Sequence, residues 1–353
     1  MHVFDSKIYR SSLMRAISEN ETLSALTGKN ILITGSTGMV GSCLVDMLFC
    51  LNEVNKAKNH IFALNRTISS AKKRFSYCKS NEFVHFLDGD VSGTLCNLPD
   101  NIDYIIHTAS NADPVRISIN PVETLLTNIV GIQNLIEYGM THGMKRFLFV
   151  SSGEMYGQPD KELSDFVEDY CGPIDHSLPR SCYPVGKRAA EVLCQSYISQ
   201  HNVDAVIVRP CHIFGPTMKL SDSRAVSEFF RCAIEEKSIT MKSAGLLERS
   251  HCYSIDAVNA MLYVLLKGKC GEAYNIADKN TQMTIRNFAQ NIANISGAEI
   301  SFSNPSDIEA KGYSTSKRMV LSSEKLKSLG WKTLYPGIEA IEETYFILKE
   351  ILG

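Results

Sequence analysis

Tyr183 and Lys187 stand four residues apart in the run Tyr183-Pro184-Val185-Gly186-Lys187. On a helix that spacing places both side chains on one face, one turn apart. An ammonium beside a phenol favours the phenolate and lowers its pKa, and a phenol poised in that way is a general base for a sugar or alcohol hydroxyl. The pair is common by chance on surface helices, so its meaning depends on what else the chain carries. About 150 residues upstream, Gly35-Ser36-Thr37-Gly38-Met39-Val40-Gly41 follows a short apolar run and opens an apolar-periodic segment. That context suits a dinucleotide. Gly35 permits the tight turn, Gly38 lets the backbone approach a pyrophosphate, and Gly41 lets the helix pack close to the strand. The helix N-terminus, with Thr37, Met39 and Val40 at its mouth, receives the phosphate charge. Base and hydride acceptor are thereby expected side by side.

The residues after the next strands bear on the cofactor. Asn65-Arg66-Thr67 stands where an acid would bond the adenosine ribose. Arg66 could receive a 2′-phosphate or be a solvated surface residue, and Asn65 could bond a ribose hydroxyl, so NAD and NADP both remain open. Asp90-Val91 is placed to meet the adenine edge, and Ala109 is small enough for the cofactor to pass.

These residues need a scaffold. Asn30–Thr34, 60–64, 83–87, 104–107, 147–150 and 206–209 are short apolar runs that read as strands, with helical segments between them, including 121–139. Strands alternating with helices imply a doubly wound parallel α/β sheet with right-handed crossovers. Beyond Pro216 the pattern loosens into helices near 223–236, 255–267, 284–296, 322–329 and 337–352. The expected organisation is an N-terminal helical extension over 1–28, a Rossmann-type domain over 29–215, and a smaller, mainly substrate-binding α/β lobe over 216–353, with a cleft between the lobes.

The chain has 353 residues, a formal net charge of -2 and no basic stripe, which argues against nucleic acid as a partner. Its eleven cysteines, odd in number and scattered, suit free thiols in a reducing compartment better than a disulfide framework or a zinc site. Residues 1–15 show no apolar signal core and the longest apolar run, 261–266, is too short to span a bilayer. A cytoplasmic protein without a membrane partner is expected. Asp113, His107 and His251 do not fall at metal-ligand spacing, and no metal is assigned.

Taken together, Thr34-Gly35-x-x-Gly38-x-x-Gly41 and Tyr183-x-x-x-Lys187 resemble an extended short-chain dehydrogenase/reductase, and more narrowly the NAD-dependent epimerase/dehydratase family that acts on nucleotide sugars. The likeness covers nearly everything after residue 28. It includes Asn128 to Leu135 (a central helix), Arg209-Pro210-x-x-x-Phe214-Gly215-Pro216 (a cofactor-and-substrate turn) and Glu324 to Trp331 (a C-terminal signature). The resemblance implies that Tyr183 takes a proton from a sugar hydroxyl, usually at C4, while NAD(P) takes the hydride. Lys187 would hold the nicotinamide ribose, and Ser152 would hydrogen-bond the reacting oxygen.

The resulting 4-keto sugar is a branch point. Ser152-Gly153-Glu154 is similar to the Thr-Ser-Glu of UDP-glucuronate decarboxylases and GDP-mannose dehydratases; Gly153 replaces the Asp of the dTDP-glucose type. Decarboxylation is the leading expectation, with 4,6-dehydration or 4-epimerisation as alternatives and a non-catalytic dinucleotide-binding regulator as a reading of another class. Glu154 would be a base at C5 or would only order its loop. Arg249 fits a diphosphate-binding Arg, whose fork suits phosphate oxygens. His212 stands where an Asn often holds the substrate phosphate; it either takes that role or is a buried histidine bonded to backbone. Helices 121–139 and 187–199 are apolar over much of their surface, and the family resemblance makes a homodimer through them the expectation.

Overall fold

The computed structural model describes residues 2–159, 164–312 and 318–353. The chain enters as α1 (Lys7–Ser18), then β1 (Asn30–Thr34), α2 (Met39–Asn55), β2 (His60–Asn65), α3 (Ile68–Arg74), β3 (Val84–Asp88) and β4 (Tyr104–His107). It continues through α4 (Pro114–Ile119), α5 (Pro121–Thr141), β5 (Arg146–Val150), α6 (Cys182–His201) and β6 (Ala205–Pro210). Next come β7 (His212–Phe214), α7 (Ala225–Ile234), β8 (Ile239–Met241), β9 (Glu248–Tyr253), α8 (Ser254–Lys267) and β10 (Ala273–Ile276). β11 (Asp278–Thr284), α9 (Ile285–Ser296), β12 (Ile300–Phe302) and a last helix, Ile338–Leu352, are the main later elements.

Seven strands form one parallel sheet in the order β10-β6-β5-β4-β1-β2-β3. Ile31, Leu32 and Ile33 are fully buried, as a strand covered on both faces requires. The six expected strands all form, within a residue of their expected ends. The seventh, β10, comes from beyond residue 216 and lies against β6, so the C-terminal part of the chain completes the sheet. Its short run, Ala273-Tyr274-Asn275-Ile276, has no periodicity that separates it from a loop. The expected helix at 322–329 is only one turn, Glu324–Lys327.

The strand order reverses between β1 and β4, which opens a crevice at their C-terminal ends. The N-terminal extension packs on α2: the Tyr9 phenol donates to Asp46 at 2.9 Å, and Asp46 also pairs with Arg74 of α3 at 2.7 Å. A buried carboxylate shared by three elements fixes that layer behind the glycine loop.

Candidate active site

The glycine loop is built by close approach. Gly35 has φ +66, and a Cβ there would lie 2.7 Å from the Ala109 Cα after β4. A Cβ at Gly41 would lie 2.4 Å from the Gly35 carbonyl oxygen, so the first turn of α2 rests on the loop's own backbone. Asn65, at the end of β2, is a strut. Its Oδ1 accepts the Thr37 N–H at 3.0 Å, and its Nδ2 donates to the Ser36 hydroxyl at 2.6 Å and the Ala63 carbonyl at 3.1 Å. The sequence suggested a ribose partner there; the structure shows the amide holding the loop. Arg66 reaches Glu123 at 2.9 Å, with both side chains about half exposed. One Asp90 oxygen accepts from the Ser92 N–H and hydroxyl, and Val91 packs under Gly131.

A groove of about 440 Å³ runs over this loop. Gly35, Thr37, Gly38, Met39, Val40 and Gly41 border it, as do Asn65, Arg66, Asp90, Val91 and Ala109. A second cavity of about 650 Å³ adjoins it, since Met39, Val40, Thr108, Ser110 and Arg224 line both. Ser152, Glu154, Tyr183, Lys187, His212 and Arg249 all border the second cavity. The tight loop, the helix N-terminus and the small Ala109 make the groove fit a dinucleotide, and the groove opens into the cavity that Tyr183 borders.

Tyr183 and Lys187 lie on the first two turns of α6, both nearly buried. Lys187 Nζ donates to the Val150 carbonyl at 2.9 Å and lies 5.9 Å from the Tyr183 ring centre. Burial drives the Lys187 pKa down to about 7, with Glu191 opposing. Burial, then the Glu154 charge, pushes the Tyr183 phenol up to about 12, against the Ser152 hydrogen bond and the cations of Arg180 and Arg224. The expected acidification of Tyr183 by Lys187 is not what the fold gives: burial and Glu154 raise the phenol, and the groups that lower it are Ser152, Arg180 and Arg224.

Arg180 is the main residue the sequence reading missed. One of its Nη atoms meets both Glu154 oxygens, at 3.0 and 2.7 Å, and its guanidinium lies 5.9 Å from the Tyr183 ring centre. Arg180 lies only three residues before Tyr183, but its pairing with Glu154 depends on the turn after β5 meeting the start of α6. Arg224 was missed because only the fold brings its segment to the border of both cavities; Asp222, two residues before it, holds it through two bonds of 2.9 and 2.6 Å.

Arg249 is buried, and its Nη1 donates to the Glu248 carbonyl at 3.0 Å. The Glu248 carboxylate turns instead to Arg318 at 2.8 Å. Desolvation lowers the Arg249 pKa to about 10, which leaves it a cation at neutral pH facing the cavity. His212 is driven well below the usual imidazole range by burial, then by Arg249 and His251, so it meets the cavity as a neutral ring. Arg209 of the expected cofactor-and-substrate turn is a brace: it pairs with Glu191 at 2.6 Å and reaches the Glu168 carbonyl. His107 bonds Thr34 and His251 bonds the Thr281 carbonyl. Asp113 caps α4 and receives Ser223. Among the described residues, no three His, Cys, Asp or Glu side chains converge.

A dinucleotide groove at the strand-order reversal, joined to a cavity holding a Tyr and a Lys, defines a Rossmann-type oxidoreductase framework. The chain belongs to the NAD dependent epimerase/dehydratase family, whose model matches residues 31–277. It is 31% identical over 332 residues to UDP-glucuronic acid decarboxylase 1 of Xenopus tropicalis, covering 93% of this chain and 74% of that protein. It is 29% identical over 318 residues to UDP-glucuronic acid decarboxylase 3 of Arabidopsis thaliana, covering 89% of this chain and 88% of the relative. A dTDP-glucose 4,6-dehydratase from Streptomyces venezuelae, solved with NAD bound, shares the fold at TM-score 0.77 and 20% identity over 91% of this chain and 97% of that one. A UDP-glucuronic acid 4-epimerase from Bacillus cereus, solved with NAD, does so at TM-score 0.75 and 23% identity over 91% of this chain and 99% of that one.

Proposed function

We propose that this protein oxidises a nucleotide sugar at C4 and then decarboxylates it, with UDP-glucuronate as the substrate. The relatives named above carry that activity in their names. The observation that favours it within the site is the Arg180–Glu154 pair beside Tyr183. Glu154 has both oxygens on a guanidinium, so acting as a base at C5 would require breaking a half-buried ion pair. A β-keto acid loses carbon dioxide without such a base. Gly153 supports the same branch: it carries no acid, and a Cβ there would lie 3.0 Å from the Leu321 side chain, which would have to give by a few tenths of an ångström.

When bound, NAD supplies a reversible hydride acceptor. Tyr183 removes the C4 hydroxyl proton as the C4 hydride leaves, with Ser152 bonded to the reacting oxygen. In the 4-keto acid the C5–C6 bond breaks, carbon dioxide departs, and the electron pair forms an enolate across C5, C4 and its oxygen. C5 takes a proton from solvent and Tyr183 returns its proton to the C4 oxygen; with bound NAD giving the hydride back to C4, the sequence would be redox-neutral. Lys187 holds the nicotinamide ribose, Arg249 and His212 receive the diphosphate, and Arg66 and Asn65 border the adenosine end.

In this reading residues 29–215 mainly bind the cofactor and 216–353 mainly the substrate. The protein is a cytoplasmic homodimer. The eleven cysteines, all free, support a reducing compartment. No helix among the described residues is long and apolar enough to cross a membrane. Val122 and Leu126 on α5 and Val192 on α6 are 69%, 48% and 65% exposed, and they supply the apolar face for a second copy.

The test is incubation with UDP-glucuronate, UDP-glucose and GDP-mannose, followed by mass spectrometry. Loss of carbon dioxide from UDP-glucuronate is expected. Loss of water, or an unchanged mass with inverted C4, would replace this reaction with dehydration or epimerisation. Tyr183→Phe should lower turnover at least ~100-fold; full activity in that variant would refute the mechanism.

A further inference from the structure

Residues 217–223, between β7 and α7, run from one wall of the cofactor groove to the other. Gly215 roots the segment: its φ is +155, and a Cβ there would lie 2.1 Å from the Ser254 hydroxyl oxygen. The buried Thr217 hydroxyl then donates to the carbonyl of Met39, the first residue of α2, at 2.9 Å. At the far end Asp113, just before α4, accepts the Ser223 N–H and the Ser223 hydroxyl on one carboxylate oxygen, each at 2.9 Å. Its other oxygen accepts the Arg116 N–H at 3.0 Å. Met39 follows β1 and Asp113 follows β4, the two strands that flank the crevice. Between these ties Lys219, Ser221 and Asp222 border the groove. The segment is therefore a strap tied on both sides of the cofactor groove.

The two ties differ in kind. Thr217 is buried, whereas Asp113 and Ser223 are only half-buried, so water can replace their bonds and that end is the one that can open. We propose that Asp113 is a positioning residue, which latches the strap over the bound dinucleotide and holds it between removal of the hydride from C4 and its return. The inference rests on the nucleotide-sugar reading, in which one cofactor molecule serves both steps. A cofactor that leaves early takes the C4 hydride with it as NADH. Carbon dioxide has then departed, C5 has gained its proton, and the sugar is released as the 4-keto pentose. A fresh NAD+ must enter before the next cycle. A closed strap suppresses this leak.

The direct test needs no turnover. Full-length protein is loaded with NADH and chased with excess NAD+, and the fluorescence of bound NADH is followed. Asp113→Ser keeps an oxygen to cap α4 but removes the one that holds Ser223. It should release NADH at least ~10-fold faster than wild type, because two bonds to a charged acceptor are lost. Ser223→Ala, which loses one of them, should release it roughly threefold faster. Ser223→Thr keeps both donors and should match wild type. Wild-type release rates in both Asp113→Ser and Ser223→Ala overturn the latch, even if Asp113→Ser melts at a lower temperature. During turnover of UDP-glucuronate, Asp113→Ser should also raise the share of 4-keto product and free NADH, read by mass spectrometry and absorbance. Faster release in the variants without turnover of UDP-glucuronate by the wild type would refute the reaction and keep this inference; turnover with unchanged release rates would do the reverse.

Discussion

Gly41→Ala is the smallest change that tests how the cofactor groove is built. The added Cβ would stand 2.4 Å from the Gly35 carbonyl oxygen, 2.8 Å from the Ser36 Cα and 2.9 Å from the Gly35 carbonyl carbon, where ordinary contacts begin at 3.4 Å. All three atoms are backbone, so no side chain can swing away. The loop and the first turn of α2 must part by about 1 Å. Overpacking of this kind costs about 1–3 kcal/mol of stability. A 1 Å displacement also takes an ordinary N–H to phosphate hydrogen bond out of range. Losing one charge-assisted bond costs about 1.5–3 kcal/mol, or about ten- to a hundredfold in NAD+ affinity. Gly93→Ala is the control, because its nearest neighbour would be 3.6 Å away. Calorimetric titration with NAD+ and thermal melts of both variants provide the measurement. A Gly41→Ala protein with wild-type melting temperature and NAD+ affinity within twofold of wild type would refute the reasoning.

Two further outcomes follow from burial. Desolvation holds His107 down to about 3 and His251 to about 4, from an ordinary 6.5. Below pH 6.5 the unfolded chain binds protons that the folded chain refuses, so stability falls as pH drops from 6.5 toward 4, by about 1.4 kcal/mol per pH unit for each histidine. Urea midpoints measured from pH 4.5 to 7 should show this decline, and a flat profile would contradict it. Val122→Glu with Leu126→Glu places two charges on the exposed face of α5 and should convert the proposed dimer to a monomer in light scattering, with helix content unchanged. A monomeric wild type, or an intact dimer in the double variant, would reject the interface.

Much of the framework was legible in the chain because it rests on local physics. Buried parallel strands need apolar runs, a dinucleotide turn needs glycine at fixed spacing, and Tyr183 and Lys187 share a face through helical periodicity alone. The roles of Asn65, Arg180 and Arg209 were not legible. Each depends on a partner from a different element: the Thr37 amide, the Glu154 carboxylate and Glu191. β10 was hidden because four residues carry no period.

The sequence by itself determined six of the seven sheet strands, the glycine loop and the proposal that Tyr183 and Lys187 act as a pair, since each follows from side-chain type and spacing along one segment. Only the tertiary structure decided how those groups are charged and what faces them. Tyr183 is raised and Lys187 lowered because folding removes both from water, and Glu154 is bound by Arg180 because two distant segments meet in one cavity. Desolvation and long-range pairing are properties of packing, and no local pattern encodes them.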